Sequence, residues 1–194
     1  MIEHIEFKFK GSRNYIHGTD MLNKSIDLVL SKPNDKVDFR IIKMTDNNLI
    51  LTNENVLKEQ KDFIATIIFD NNEVKEKYFF VEATKAIGRY DYDEDSIAKL
   101  AETDLNQKTI ELSNCELKYT NIEIIVALTK ALHNKIIDNR TKWVFVGFTS
   151  NLELLRVKIE KIKIRLMKNF NNKLTINEII INEQLIGQIK FSSK

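Results

Sequence analysis

One short run concentrates the residues able to do chemistry: Ser12-Arg13-Asn14-Tyr15-Ile16-His17-Gly18-Thr19-Asp20. His17, one of 3 histidines, has the side-chain type that gains and loses a proton near neutrality. Gly18 lets the backbone approach a ligand closely, and Thr19 and Asp20 are both good residues for opening a helix. A helix start presents N–H groups with no intrahelical partner, backed by the positive end of the dipole. A carbonyl oxygen gaining charge could therefore be held at Gly18 or Thr19. The same dipole disfavours an imidazolium and suits a neutral His17 acting as a base. A plainer alternative stays open, in which Thr19 or Asp20 only caps the helix and His17 occupies a turn. His4 reads as strand surface and His133 as a late helix turn.

Such a site needs a strand to deliver it and a helix to follow. Ile5, Phe7 and Phe9 alternate with Glu6, Lys8 and Lys10, the period of a strand with one wet face, and this strand runs into the reactive stretch. Leu22, Ile26, Val29 and Leu30 then share one side of a helix that Pro33, Asn34 and Asp35 close. Four strands are predicted next, over 37–42, 49–51, 63–69 and 74–81, with turns at Asp46-Asn47-Asn48 and Asp70-Asn71-Asn72. Gly88 to Asp95 form an acidic, polar link, and Ser96 to Leu105 a short capped helix.

The order then begins again. A strand at 109–112 leads to a helix from Ile124 to Ile137 with apolar residues on nearly every side. Strands follow at 143–148, at 152–166 as one long strand or a pair, at 174–181 and at 185–191, the last two joined by Asn182-Glu183. The halves agree beyond element order. Tyr15 stands against Tyr119, Lys36-Val37-Asp38-Phe39 against Lys142-Trp143-Val144-Phe145, and Ile64 to Phe69 against Ile176 to Ile181. Asn121 falls near the place of His17 with no histidine beside it, so the second half reads as a partner or lid. A helix apolar on nearly every side must be buried, and a curved antiparallel sheet wrapped around it does that while leaving the other sheet face wet. Two such units can pair edge to edge, which removes two exposed edges.

Composition narrows the function classes. The 194 residues are 43% hydrophobic, enough for a real core. Thirty basic against 28 acidic residues leave a net charge of +2, which gives no field of one sign for nucleic acid or an anionic membrane. The basic run Arg156 to Lys168 alternates with Val157, Ile159, Ile162, Ile164 and Leu166 and reads as the wet face of a strand. The single cysteine, Cys115, cannot build a disulfide framework or a Cys-based zinc site, which points to a reducing, cytoplasmic compartment. No run of about eighteen apolar residues is present to span a membrane. No Gly-rich phosphate loop, metal-ligand cluster or Ser-His-Asp order stands out, so neither a cofactor nor a metal is expected.

The repeated strand, buried helix and antiparallel strands resemble the double hotdog arrangement, an α+β fold. The resemblance covers residues 1–83 as a first unit and 107–194 as a second, joined by a linker with a short helix at 84–106. Hotdog proteins are mostly thioesterases and hydroxyacyl-thioester dehydratases or hydratases, acting on coenzyme A or acyl-carrier-protein thioesters where a helix start meets the neighbouring unit. The MaoC-like hydratase branch carries Asp, any residue, Asn, Pro, any residue, His. In Ser12-Arg13-Asn14-Tyr15-Ile16-His17, Asn14 and His17 match, whereas Ser12 stands for the Asp and Tyr15 for the Pro. A serine hydroxyl does not titrate near neutrality and cannot replace a carboxylate; Asp20, one helix step on, is the nearest acid. The His-then-Pro-Gly pattern of other dehydratases is not matched.

What the resemblance implies is an acyl-thioester hydratase or dehydratase, a lyase of fatty acid or polyketide metabolism. His17 would be general base or acid, Asn14 would orient substrate or water, Asp20 would supply the acid, and Gly18, Thr19, Tyr15 and Ser12 would line the substrate. Two alternatives remain beside it: a thioesterase in which Asp20 activates water, and a non-catalytic hotdog protein that binds an acyl ligand or a protein partner. A homodimer is an expected assembly.

Overall fold

The computed structural model describes residues 2–28, 36–53, 62–71, 73–113, 118–137 and 142–193. Val29, Leu30, Pro33, Asn34, Asp35 and Cys115 lie outside the described residues. The chain divides into two compact units, Met1–Tyr92 and Asp93–Lys194. Residues 84–106 are shared between them.

In the first unit the alternation of residues 5–10 does not make one strand. β1 spans Ile2–Ile5 and β2 spans only Phe9–Lys10. After β2 come α1 (Gly18–Leu28), β3 (Lys36–Ile41), β4 (Asn47–Asn53), β5 (Ala65–Asp70), β6 (Lys75–Lys85) and β7 (Arg89–Tyr90). Five of these strands form an antiparallel sheet in the order β1-β4-β6-β5-β3. β2 leaves that sheet and pairs in parallel with β7, Lys10 opposite Tyr90. Alternate residues of β5 are buried, as a strand with one wet face requires. Val37, Phe39, Leu49, Leu51, Ile67, Phe69 and Phe80 join Met21 and Leu22 of α1 in the core, where Phe39 and Phe80 meet edge to face at 6.2 Å.

In the second unit, Ser96 to Leu105 is not one helix. Asp93 caps a shorter one, α2 (Glu94–Lys99), by accepting from the Ser96 N–H, and β8 (Glu102–Asp104) follows. β9 (Thr109–Ser113) leads to α3 (Asn121–Ile136). Thr120 and Glu123 form a capping box at its start. Nine of its residues are buried, among them Ile122, Ile124, Ile125, Leu128 and Leu132. They pack against β9, β10 (Trp143–Asn151) and β11 (Lys161–Phe170). The expected strand at 152–166 is interrupted, because Asn151 caps a single turn, α4 (Leu152–Leu155), before β11 begins. β12 (Leu174–Ile181) and β13 (Gln184–Ser193) complete the sheet, whose order is β10-β13-β12-β11-β9-β8. Both tight turns put two residues at positive φ, Asn171 and Asn172 in one, Asn182 and Glu183 in the other, the twist that two-residue hairpin loops need.

The strand orders of the two units follow one plan with one exchange. The first strand of each plan (β1, β9) lies beside β4 or β11, and the strand after the long helix (β3, β10) ends that row. Between them the first unit places β6 then β5, whereas the second places β12 then β13. The sequence match of Ile64–Phe69 with Ile176–Ile181 therefore joins strands in different positions. β5 corresponds in place to β13.

Candidate active site

The reactive stretch is held from both sides. The Gly11 N–H donates to the Tyr90 carbonyl at 2.9 Å, closing the β2–β7 ribbon, and the Ile16 N–H donates to the Thr45 carbonyl at 2.8 Å. Gly11 turns the chain between these anchors with φ +57, where a Cβ would meet the Tyr92 carbonyl at 3.2 Å. His17 then precedes the first helical residue, and its carbonyl accepts from the N–H groups of Asp20 and Met21. Neither Thr19 nor Asp20 is the cap; both lie inside the first turn.

His17 is 6% exposed. Its ring stacks on Tyr15 with centroids 6.3 Å apart. Nδ1 lies 2.7 Å from Thr19 Oγ1, and the Thr19 backbone N–H donates to the same nitrogen over 3.4 Å. The Thr19 N–H is thus directed at the histidine, which leaves the Gly18 N–H as the helix-start donor without an intrahelical acceptor. Gly18 is buried.

The residue that sequence reasoning missed is Lys10. Read as part of a wet face, it is 0% exposed. The strand break after Ile5 moves β2 into a different sheet and turns Lys10 inward. Its Nζ donates to Thr19 Oγ1 and to Asp20 Oδ1, both at 3.0 Å, and stands 4.2 Å from the centre of the Tyr92 ring. Burying an unpaired ammonium costs several kcal/mol, so a carboxylate, a hydroxyl and an aromatic face together are what the burial requires. Tyr90 donates to the other Asp20 oxygen, Oδ2, at 2.8 Å. The signal that could have found this cluster is Tyr90-Asp91-Tyr92, two aromatic residues in a segment otherwise read as polar link.

Of the residues singled out in the sequence, the fold brings together His17, Gly18, Thr19, Asp20 and Tyr15. Ser12 and Asn14 are exposed and stand outside the hydrogen-bonded group. Asn121, in the second unit, donates to the carbonyls of Leu155 and Val157, tying the start of α3 to the segment after α4. His4 is exposed on β1. His133 is in the last turn of α3 but fully buried, with Nε2 3.2 Å from Asn177 Oδ1 and the Trp143 ring 4.8 Å away. Burial pushes it down to about 4. Among the described residues no group of three acidic, histidine or cysteine side chains could hold a metal ion, and no helix is long and apolar enough to cross a membrane.

No protein-family model matches the sequence, and no curated protein matches it. Solved structures do. The tesB protein of Mycobacterium avium subsp. paratuberculosis aligns with a TM-score of 0.52 at 9% identity, over 96% of this chain and 91% of that one. The dehydratase domain of PpsC from Mycobacterium tuberculosis, in complex with C12:1-CoA, aligns with a TM-score of 0.51 at 7% identity, over 100% and 92%. A protein of unknown function with a hot dog fold from Alicyclobacillus acidocaldarius gives 0.45 at 8% identity, over 100% and 92%. On the two likenesses with a TM-score above 0.5, to the tesB protein and the dehydratase domain, the fold is the hotdog fold. At these identities the likeness is one of architecture: an α+β hotdog protein with a large share of antiparallel strand and few helices. The His17 cluster belongs to the hotdog protein's first unit and is built from residues 10–20 and 90–92.

Proposed function

We propose that this hotdog protein acts on acyl thioesters of coenzyme A or an acyl carrier protein, as a hydratase or dehydratase. His17 is the proton-transfer residue, Asn14 and Tyr15 meet the substrate, and the Gly18 N–H polarises the thioester carbonyl. The observation that carries this reading is the pinning of His17 Nδ1 by Thr19 at the first turn of α1. An imidazole fixed through one nitrogen keeps a defined orientation for proton exchange through the other. A dehydratase domain holding C12:1-CoA among the structures of like fold agrees with it. On the same reading the chain is a double hotdog, working in the cytoplasm in fatty acid or polyketide metabolism, and a homodimer is its assembly. The repeated strand order of the two units supports the double arrangement.

One observation favours a second reading, a non-catalytic acyl binder. Both Asp20 oxygens already accept from the protein, Oδ1 from Lys10 and Oδ2 from Tyr90, and Ser12 is exposed. Neither position is a free acid beside His17, and a thioesterase relying on Asp20 would have to dismantle these bonds.

Hydration of a short enoyl-CoA, followed by loss of the enoyl absorbance, tests the choice. Turnover by the wild type that His17→Gln abolishes, with little change in melting temperature, upholds the enzyme. Background rates in both, with an acyl-CoA still raising the melting temperature, select the binder. No rate and no thermal shift would overturn both.

A further inference from the structure

We propose that Lys10 decides which nitrogen of His17 carries the proton, and that it sets Nε2–H, so that the resting histidine offers a proton rather than a lone pair. The inference deepens the acyl-thioester reading and rests on it for its catalytic meaning, but not for its test.

The hydroxyl of Thr19 has one proton and two lone pairs. Lys10 Nζ, 3.0 Å away, has only protons to give and so occupies a lone pair. Two acceptors compete for the single hydroxyl proton: His17 Nδ1 at 2.7 Å and Asp20 Oδ1 at 3.2 Å. Asp20 is already supplied, since Lys10 donates to Oδ1 at 3.0 Å and Tyr90 to Oδ2 at 2.8 Å. The hydroxyl proton therefore goes to Nδ1. The Thr19 backbone N–H, directed at Nδ1 over 3.4 Å, acts in the same sense, because a nitrogen that carried its own proton could not accept it. A neutral imidazole with Nδ1 accepting has its proton on Nε2.

Without the ammonium, the balance reverses. The deprived Asp20 carboxylate is a stronger acceptor than an imidazole and takes the Thr19 proton. The Thr19 oxygen then has both lone pairs free, and Nδ1–H donates into one of them. Lys10 is thus a positioning residue. It acts on the imidazole through the Thr19 hydroxyl.

Long-range proton–nitrogen NMR of the neutral imidazole reads the tautomer directly. In the wild type at a pH where His17 is neutral, Nδ1 is expected in the unprotonated range and Nε2 in the protonated range. Lys10→Met is expected to interchange them, and Asp20→Asn, which weakens the competing acceptor, to leave the wild-type pattern. Thr19→Val keeps the Lys10–Asp20 pair and is the variant to read if Lys10→Met fails to fold. It is expected to abolish the preference, and Thr19→Ser to restore it. Protonated Nδ1 in the wild type, or an unchanged tautomer in a folded Lys10→Met or Thr19→Val protein, would overturn the proposal. No substrate is needed, so failure to hydrate an enoyl thioester would sink the functional reading and leave this result standing.

Discussion

Lys10 Nζ stands 3.0 Å from Asp20 Oδ1, and none of the lysine side chain is exposed, against 16% of the aspartate. The pair joins the two-stranded ribbon to the first turn of α1. Removing the aspartate leaves an ammonium that water cannot reach.

Asp20→Asn should therefore destabilise the protein by about 3 kcal/mol, the scale for breaking a buried pair. Tyr90→Phe, which removes one hydrogen bond from the partly exposed side of the same carboxylate, should cost about 1 kcal/mol or less. Urea unfolding of the two variants checks the order, and equal losses would mean that Asp20 matters only as an acceptor for tyrosine.

Ser12→Asp puts a carboxylate at the position of the MaoC-like acid, yet position 12 is exposed and outside the hydrogen-bonded group. Any enoyl-thioester hydration should change by far less than the ~10²–10⁴-fold that a working general acid supplies. A steady-state assay of the variant settles it; a gain of that size would show that the loop refolds around substrate.

His133 makes stability depend on pH in a fixed direction. Folded, it is pushed down to about 4 from an ordinary 6.5, so between those values the unfolded chain binds a proton that the folded chain refuses. Its contribution is complete above pH 6.5, falls as the pH drops through the window and levels off near pH 4, a loss of about 3 kcal/mol in all. Carboxylates titrate in the lower part of the same range, so the measurement is the difference between wild type and His133→Phe in urea midpoint from pH 7 to 4. Parallel curves would contradict it.

Gly187 faces Ser150 across the β10–β13 ladder. A Cβ there would sit 2.0 Å from the Thr149 carbonyl and 2.8 Å from Ser150 Cα. The obstacle is backbone, which cannot rotate aside, so Gly187→Ala should cost about 3 kcal/mol, the upper part of the range for overpacking. Thermal unfolding gives the answer.

Helix α3 was legible because apolar residues on nearly every side admit only burial, and the Asn182-Glu183 turn because it lies between two alternating runs. Lys10 was not. Alternation assigns a face only while the strand continues, and the break after Ile5 carries no glycine or proline to announce it. α4 was lost for a similar reason: Leu152, Leu154 and Leu155 satisfy a strand as readily as a helical turn, and the deciding feature is the Asn151 side chain accepting from the Glu153 N–H. Within the site, His17 and its neighbours were legible as a helix start. The aromatic partners from residues 90 and 92 were not, since Tyr90 stands 70 positions after Asp20 in the chain.

The exchanged order of the middle strands bears on how each unit is made. In the second unit β11, β12 and β13 are neighbours in space and in sequence, joined by turns at 171–173 and 182–183, so the sheet can zip from local encounters. In the first unit β4 must leave the position beside it vacant until β5 has been laid down and β6 has returned to fill it. Closing that larger loop before any contact rewards it is slow. During refolding, amides of β11 to β13 should gain protection from exchange before those of β4, and His17 should be sheltered late.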